Sequence, residues 1–155
     1  MRIVISSGHG AKCAGASGVI DEVTEARKVV PCVVEYLRAG GAEVIEFHEN
    51  EKTNGNDNLN AIIAYHNSQQ RDLDVSIHFN SVAGGVTDRA IGTETLYKSD
   101  AGKVYATRVS KAIAAAGGFI DRGAKKFDNL GFLNYTNKPA SSIKTSPLAL
   151  GRKMR

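Results

Sequence analysis

The stretch Arg2-Ile3-Val4-Ile5-Ser6-Ser7-Gly8-His9-Gly10 decides how the rest of the chain is read. Its β-branched residues favour a short strand, and the two glycines around His9 permit a sharp turn directly after it. A histidine is thereby placed at the carboxyl end of a strand. The next patterned segment opens at Glu22, where Val23, Ala26, Val30, Val33 and Leu37 recur at steps of three and four, the period of a helix. Asp21 is the expected N-cap, and Gly40-Gly41 supplies the stop. Pro31 removes one backbone hydrogen bond inside this helix and predicts a kink or a break.

Outward from this unit the alternation of strand and helix continues. Ala42 to Phe47 reads as a strand and Glu49 to Asn58 as a polar loop, after which Leu59, Ile62, Ile63 and His66 mark one face of a second helix. Leu73-Asp74-Val75-Ser76-Ile77-His78 alternates with period two and again ends on a histidine. Gly84 to Ala90 reads as a flexible connection, and Ile91 to Lys98 as a further strand. Ser99 or Asp100 caps a helix whose Tyr105, Val109, Ala112, Ile113 and Ala116 share a face, with Gly117-Gly118 at its end. Strands alternating with helices predict an α/β fold, a single twisted and mostly parallel sheet flanked by helices.

At 155 residues the chain has material for one domain with one hydrophobic core. Its 42% hydrophobic and 23% charged residues exclude disorder and repeat architectures over most of its length. No apolar run is long enough to span a bilayer, so no membrane insertion is expected. The apolar stretch after Arg2 stops after three residues, which reads as a strand rather than a signal peptide and implies synthesis in the cytoplasm. Cys13 and Cys32 form neither a metal-binding spacing nor a disulfide framework and are expected as free thiols. The net charge of +4 is misleading: residues 1–137 hold 15 Lys and Arg against all 16 Asp and Glu, while the segment from Lys138 carries five cations and no acid. The basic excess is therefore confined to a tail, and with no nucleic-acid motif in the folded part no such partner is expected.

In open α/β sheets, ligands gather outside the carboxyl ends of the strands. His9 and His78 both fall at such ends, and Glu22 opens the helix that follows the His9 loop. Two imidazoles and a carboxylate suit Zn²⁺ with a fourth position left for water, chemistry that hydrolyses amides. Spacing alone does not select this reading. Either histidine also fits a hydrogen-bonded structural role, and Glu22 fits an acidic first-turn residue favoured by the helix dipole. His66 reads as a core-edge histidine and His48 as a loop residue.

Gly8-His9-Gly10 after a first strand, Asp21-Glu22 opening a helix, and Ser76-Ile77-His78-Phe79-Asn80 closing a later strand together resemble the zinc-dependent N-acetylmuramoyl-L-alanine amidases, the type-3 amidase family of bacterial autolysins and of phage or prophage endolysins. Gly92-Thr93-Glu94-Thr95-Leu96-Tyr97, Asn58-Leu59-Asn60 and Arg122-Gly123-Ala124-Lys125 agree with that resemblance, which runs from about Arg2 to Ala140. The resemblance implies one zinc ion held by His9, Glu22 and His78. It also implies hydrolysis of the amide between N-acetylmuramic acid and L-alanine in peptidoglycan, with the wall reached after release from the cell. Asn80 and Arg122 are the expected substrate-binding residues.

Beyond Ala140 the family pattern continues with an aliphatic strand ending in a glutamate, the general base, and then a closing helix. Here the chain reads Ser141-Ser142-Ile143-Lys144-Thr145-Ser146-Pro147, and no Glu follows Glu94. An amidase-like domain over 1–140 and a disordered or atypical basic tail over 141–155 are therefore expected, with the final strand and helix missing or altered and a sheet edge left open. So abrupt a change is what a shifted reading frame would leave. No residue is assigned as the catalytic base, since Glu25 and Glu94 both read as structural, and its loss predicts a rate lower by roughly 10²–10⁴. A zinc-containing peptidoglycan-binding pseudoenzyme is the alternative.

Overall fold

The computed structural model describes residues 1–17, 20–80 and 91–145, which form, in chain order, β1 (Arg2–Ser7), α1 (Glu22–Ala39), β2 (Glu43–Phe47), α2 (Gly55–Ser68), β3 (Leu73–Phe79), β4 (Thr93–Tyr97), α3 (Asp100–Gly117), β5 (Asp121–Lys126), α4 (Gly131–Tyr135) and β6 (Ala140–Thr145). The strands make a single mixed sheet in the order β2-β1-β3-β6-β4-β5, parallel at every junction except that of β4 with β6. Helices cover both faces. Ile3, Ile5, Val75 and Ile77 pack on Ala26, Val30 and Val34 of α1, while Leu96 and Ala140 on the opposite face meet Ile62 and Ile63 of α2 and Phe132 and Leu133 of α4. Full burial of each such aliphatic side chain stabilises the fold by roughly 1.5–3 kcal/mol.

The expected caps are in place. Asp21 accepts a hydrogen bond from the Thr24 amide, and Ser99 accepts one from Gly102. One helix expectation is narrowed, in that no break occurs at Pro31, and another needs correction. α1 runs unbroken through Pro31, because Ala26, Val30 and Val34 are buried on both sides of it and hold its two halves on the sheet. In α3 the buried ladder is Gly102, Ala106, Ser110 and Ala114, not the face through Ala112 and Ala116, which are exposed. Small size selects this face: a Cβ on Gly102 would lie 2.9 Å from the Ala140 carbonyl oxygen, so only glycine lets the helix approach β6 so closely.

The largest correction concerns the end of the chain. The final strand is present, altered in composition but not missing: β6 pairs with β3 over Asp74–Phe79 and with β4 over Thr93–Tyr97, near the middle of the sheet. Residues 141–145 thus stand in the sheet rather than in a basic tail, and the sheet edges are β2 and β5 instead of a gap left by a lost strand. Backbone pairing on both sides satisfies the main chain whatever the side chains are, and Ile143 supplies the one large apolar contact. Ser141 and Ser142 are buried, and their hydroxyls find no partner among the described residues. The expected connection at 84–90, and residues 146–155 where the family's closing helix would fall, lie outside the described residues.

Parallel pairing of β1, β3 and β6, the antiparallel turn to β4 and the parallel pairing of β4 with β5 bring five strand ends to one edge. There the carboxyl ends of β1, β3 and β6 meet the amino ends of β4 and β5.

Candidate metal centre

His9 follows β1 in a turn tied down from several sides. The Gly8 amide donates to the Ile77 carbonyl at 2.8 Å, and the Ser7 hydroxyl donates to the His9 carbonyl at 3.1 Å. Ser7 Oγ also lies 2.9 Å from His48 Nδ1, whose other ring nitrogen is 3.0 Å from Glu46 Oε1, so His48, in the loop after β2 as expected, supports this turn. Gly8 is required by packing: a Cβ there would fall 2.0–2.3 Å from the ring atoms of His78. Gly10 is equally constrained, since its Cβ would fall 2.5 Å from Glu49 Oε2 and Asn58 Oδ1.

Glu22 is the first residue of α1, where backbone amides and the helix dipole favour an anion. Its Oε2 accepts from the Ala16 amide at 2.8 Å and its Oε1 from the Phe79 amide at 3.1 Å. The same carboxylate meets both histidines, His78 Nδ1 at 3.1 Å and His9 Nε2 at 3.3 Å. The two imidazoles stand edge to face with centroids 5.2 Å apart, and one donor atom from each of the three residues lies within 4.8 Å of the others. Residues separated by thirteen and fifty-six positions are therefore brought together, in a set that could hold a metal ion.

Burial and hydrogen bonding shift two of these groups, Glu22 and His78. Burial pushes the Glu22 carboxyl up, but hydrogen bonds from His78, His9 and the Ala16 amide outweigh it and hold the group well below the usual carboxylate range. Burial holds the His78 imidazole below its ordinary value; Glu22 opposes this, and the charges of His9 and Lys144 reinforce it. The second nitrogen of His78, Nε2, is 3.1 Å from Ser76 Oγ, which fixes the ring through the group one strand period earlier.

Asn80 and Arg122 reach the same edge of the sheet, and both engage Glu94. Arg122 Nη2 lies 3.1 Å from Glu94 Oε2, Lys125 Nζ lies 2.6 Å from that oxygen, and Asn80 Nδ2 is 3.4 Å from Oε1. Burial raises the Glu94 carboxyl, yet hydrogen bonds from Lys125 and Asn80 and the Arg122 charge bring it below its ordinary value. Glu25 is paired with Lys28 at 2.7 Å on the surface of α1. Sequence reasoning missed Lys144 and Ser76 as neighbours of His78. Ser76 carried a signal, the period-two alternation of β3, whereas Lys144 became a neighbour only through the unexpected pairing of β6.

The sequence profile of the N-acetylmuramoyl-L-alanine amidase family matches residues 3–148. An uncharacterized protein of Clostridium perfringens (strain 13 / Type A) is 33% identical over 142 residues, which is 90% of this chain and 42% of that relative. The chain thus spans about two fifths of the length of that curated relative. Among solved structures, the catalytic domain of the CD27L endolysin targeting Clostridia difficile superposes with a TM-score of 0.77 at 28% identity, over 92% of this chain and 79% of that one. The catalytic domain of CwlV, an N-acetylmuramoyl-L-alanine amidase from Bacillus (Paenibacillus) polymyxa var. colistinus, gives a TM-score of 0.76 at 28% identity, over 93% and 79% of the two chains.

Proposed function

This chain belongs to the N-acetylmuramoyl-L-alanine amidase family, and from that premise we propose that His9, Glu22 and His78 hold one zinc ion and that the domain hydrolyses the amide between N-acetylmuramic acid and L-alanine in peptidoglycan. The convergence of the three donor atoms within 4.8 Å carries this reading. The donors fit the ion: two imidazole nitrogens and an anionic carboxylate oxygen are three ligands of a tetrahedral zinc site with one position left open. Zinc would supply a Lewis acid that polarises the scissile carbonyl and makes water a usable nucleophile near neutral pH.

The chain's own residues do the rest. Glu22 remains anionic, and His78 would turn its Nδ1 lone pair to the ion in place of its hydrogen bond to Glu22 while Ser76 holds Nε2. Asn80 and Arg122 flank the cluster and are proposed to orient the substrate, with Glu94 fixing both side chains. The similarity to an endolysin catalytic domain supports a phage- or prophage-type wall-lytic role. No helix among the described residues is long and apolar enough to cross a membrane.

A second reading, a zinc-containing domain that binds peptidoglycan without cutting it, is favoured by one observation. The β6 position in register with His78 is Lys144, an ammonium where hydrolysis would use a carboxylate to take the proton from the attacking water and pass it to the leaving amine. Glu94, the carboxylate next in that row, is committed to Lys125 and Arg122. Both readings are tested on one sample by zinc content and by release of L-alanine amino termini from purified cell wall. Release that is abolished by chelator and by His78→Ala supports the enzyme. Stoichiometric zinc without release supports the binding module, and absence of bound zinc overturns both.

A further inference from the structure

β6 carries one charged side chain among its described residues, Lys144, and the register places it between two functional neighbours. It stands opposite His78 of β3 on one side and Glu94 of β4 on the other. Residues in register on adjacent strands point to the same face of a sheet, so His78, Lys144 and Glu94 form one row along the edge that carries the metal-ligand set. A lysine opposite a glutamate would ordinarily pair with it. Here Glu94 Oε2 already receives Lys125 at 2.6 Å and Arg122 at 3.1 Å, and no ion pair to Lys144 occurs among the described residues.

Two cations thus contact the Glu94 carboxylate and a third, Lys144, stands in register with it, an excess of two positive charges along this row among the described residues. Any divalent ion held by His9, Glu22 and His78 adds to that excess, because Glu22 is the one anion among its three ligands. Left alone, neighbouring cations repel and lose hydration; a carboxylate brought by a ligand relieves both costs and is the group that Arg and Lys donors bind most strongly. Side-chain exposures of 42% for Lys125 and 35% for Arg122 leave both within reach of a ligand.

We propose that Lys144, with Lys125 and Arg122, forms a carboxylate-binding subsite beside the His9–Glu22–His78 cluster, and that it selects ligands bearing a free carboxylate next to the amide-binding position. This rests on the proposed wall-amide reading for the choice of ligand, but not for the existence of the cationic subsite. The subsite accounts for a lysine at an interior strand position, where a charge would otherwise only weaken packing and oppose a bound cation.

The test is binding of L-alanyl-D-glutamate and of its diamide, neither of which the domain can cleave at a muramoyl amide, followed by NMR titration with zinc added and without. The wild-type chain is expected to prefer the diacid by about 10-fold, the size of a charge-assisted contact. Lys144→Gln abolishes that preference and leaves diamide binding unchanged, and Lys144→Arg retains it. Equal binding of diacid and diamide by the wild type, or a preference that survives in Lys144→Gln, overturns the proposal. Wall hydrolysis on the same samples separates the two claims: cleavage without diacid preference refutes the subsite alone, and a Lys144-dependent preference without cleavage or zinc refutes the amidase reading alone.

Discussion

Two histidine–carboxylate clusters share one face of β3, and they differ in what surrounds them. Asp74 and His78 lie four residues apart on the same side of the strand. Around Asp74 everything is closed: His66 Nδ1 at 2.8 Å and Arg71 Nε at 2.7 Å meet Oδ1, Arg71 Nη2 at 2.9 Å meets Oδ2, and His66 Nε2 lies 3.0 Å from Ser6 Oγ. Ser6, His66 and Asp74 are fully buried, so a serine, a histidine and an aspartate in hydrogen-bonded sequence have no access to any substrate. Around His78 the cluster opens to solvent through His9, whose side chain is 29% exposed. The same functional groups thus make a structural knot at mid-strand and a candidate ligand site at the strand end. Position along the strand decides which, because only the end has a loop in place of the next layer of core.

Breaking the closed cluster should have the largest effect. Asp74→Ala leaves the buried Arg71 guanidinium and His66 without their acceptor, a loss of about 3–5 kcal/mol for half of a buried pair. Urea unfolding should register it, while the contrasting His9→Ala removes only a partly exposed hydrogen bond and should cost no more than about 1 kcal/mol of stability, yet abolish zinc retention in equilibrium dialysis. Equal stability losses in the two variants would erase the distinction between knot and site.

Gly8→Ala sharpens the comparison from the other side. The added methyl cannot coexist with the His78 ring, whose atoms would be 2.0–2.3 Å away, so the imidazole must swing from Glu22. A displaced ligand orientation should weaken zinc binding roughly 10–100-fold, the range seen when support of a ligating histidine is lost. Competition with a chromophoric chelator measures this. The Asp74 cluster, which Gly8 does not touch, should keep the variant folded.

Which parts of this were legible in the sequence follows from how local each signal is. His9, Glu22 and His78 were marked by short cues, a glycine turn after a strand, a capped helix start and a strand's last inward residue; the family resemblance then joined them. The closed cluster had no such cue. His66 and Asp74 are eight positions apart, Ser6 sixty from His66, and only the folded sheet brings Ser6 to the others. Strand β6 was misread because Ser141, Ser142 and Lys144 lack an apolar pattern, and pattern reports side-chain burial, whereas this strand is held largely by main-chain pairing to β3 and β4. The α3 face was displaced for a related reason: Gly102 and Ser110 are buried for their size, which a hydrophobic period does not register.

The register offers a finer probe, because Ser6 of β1, Ser76 of β3 and Ser142 of β6 stand in one row across the sheet. All three are buried, but their hydroxyls differ in company: Ser6 meets His66, Ser76 meets His78, and Ser142 meets no partner among the described residues. Removing a paired buried hydroxyl should destabilise, and removing an unpaired one should stabilise, since only the second eliminates a desolvated polar group without orphaning another. Ser6→Ala is therefore expected to lower the free energy of unfolding by about 1 kcal/mol and Ser142→Ala to raise it by a similar amount. Urea midpoints that move in opposite directions at constant slope would support this assignment. A shared direction would mean that β6 satisfies its hydroxyl in solution, and that the polar strand is as well adapted to the middle of the sheet as the knot beside it.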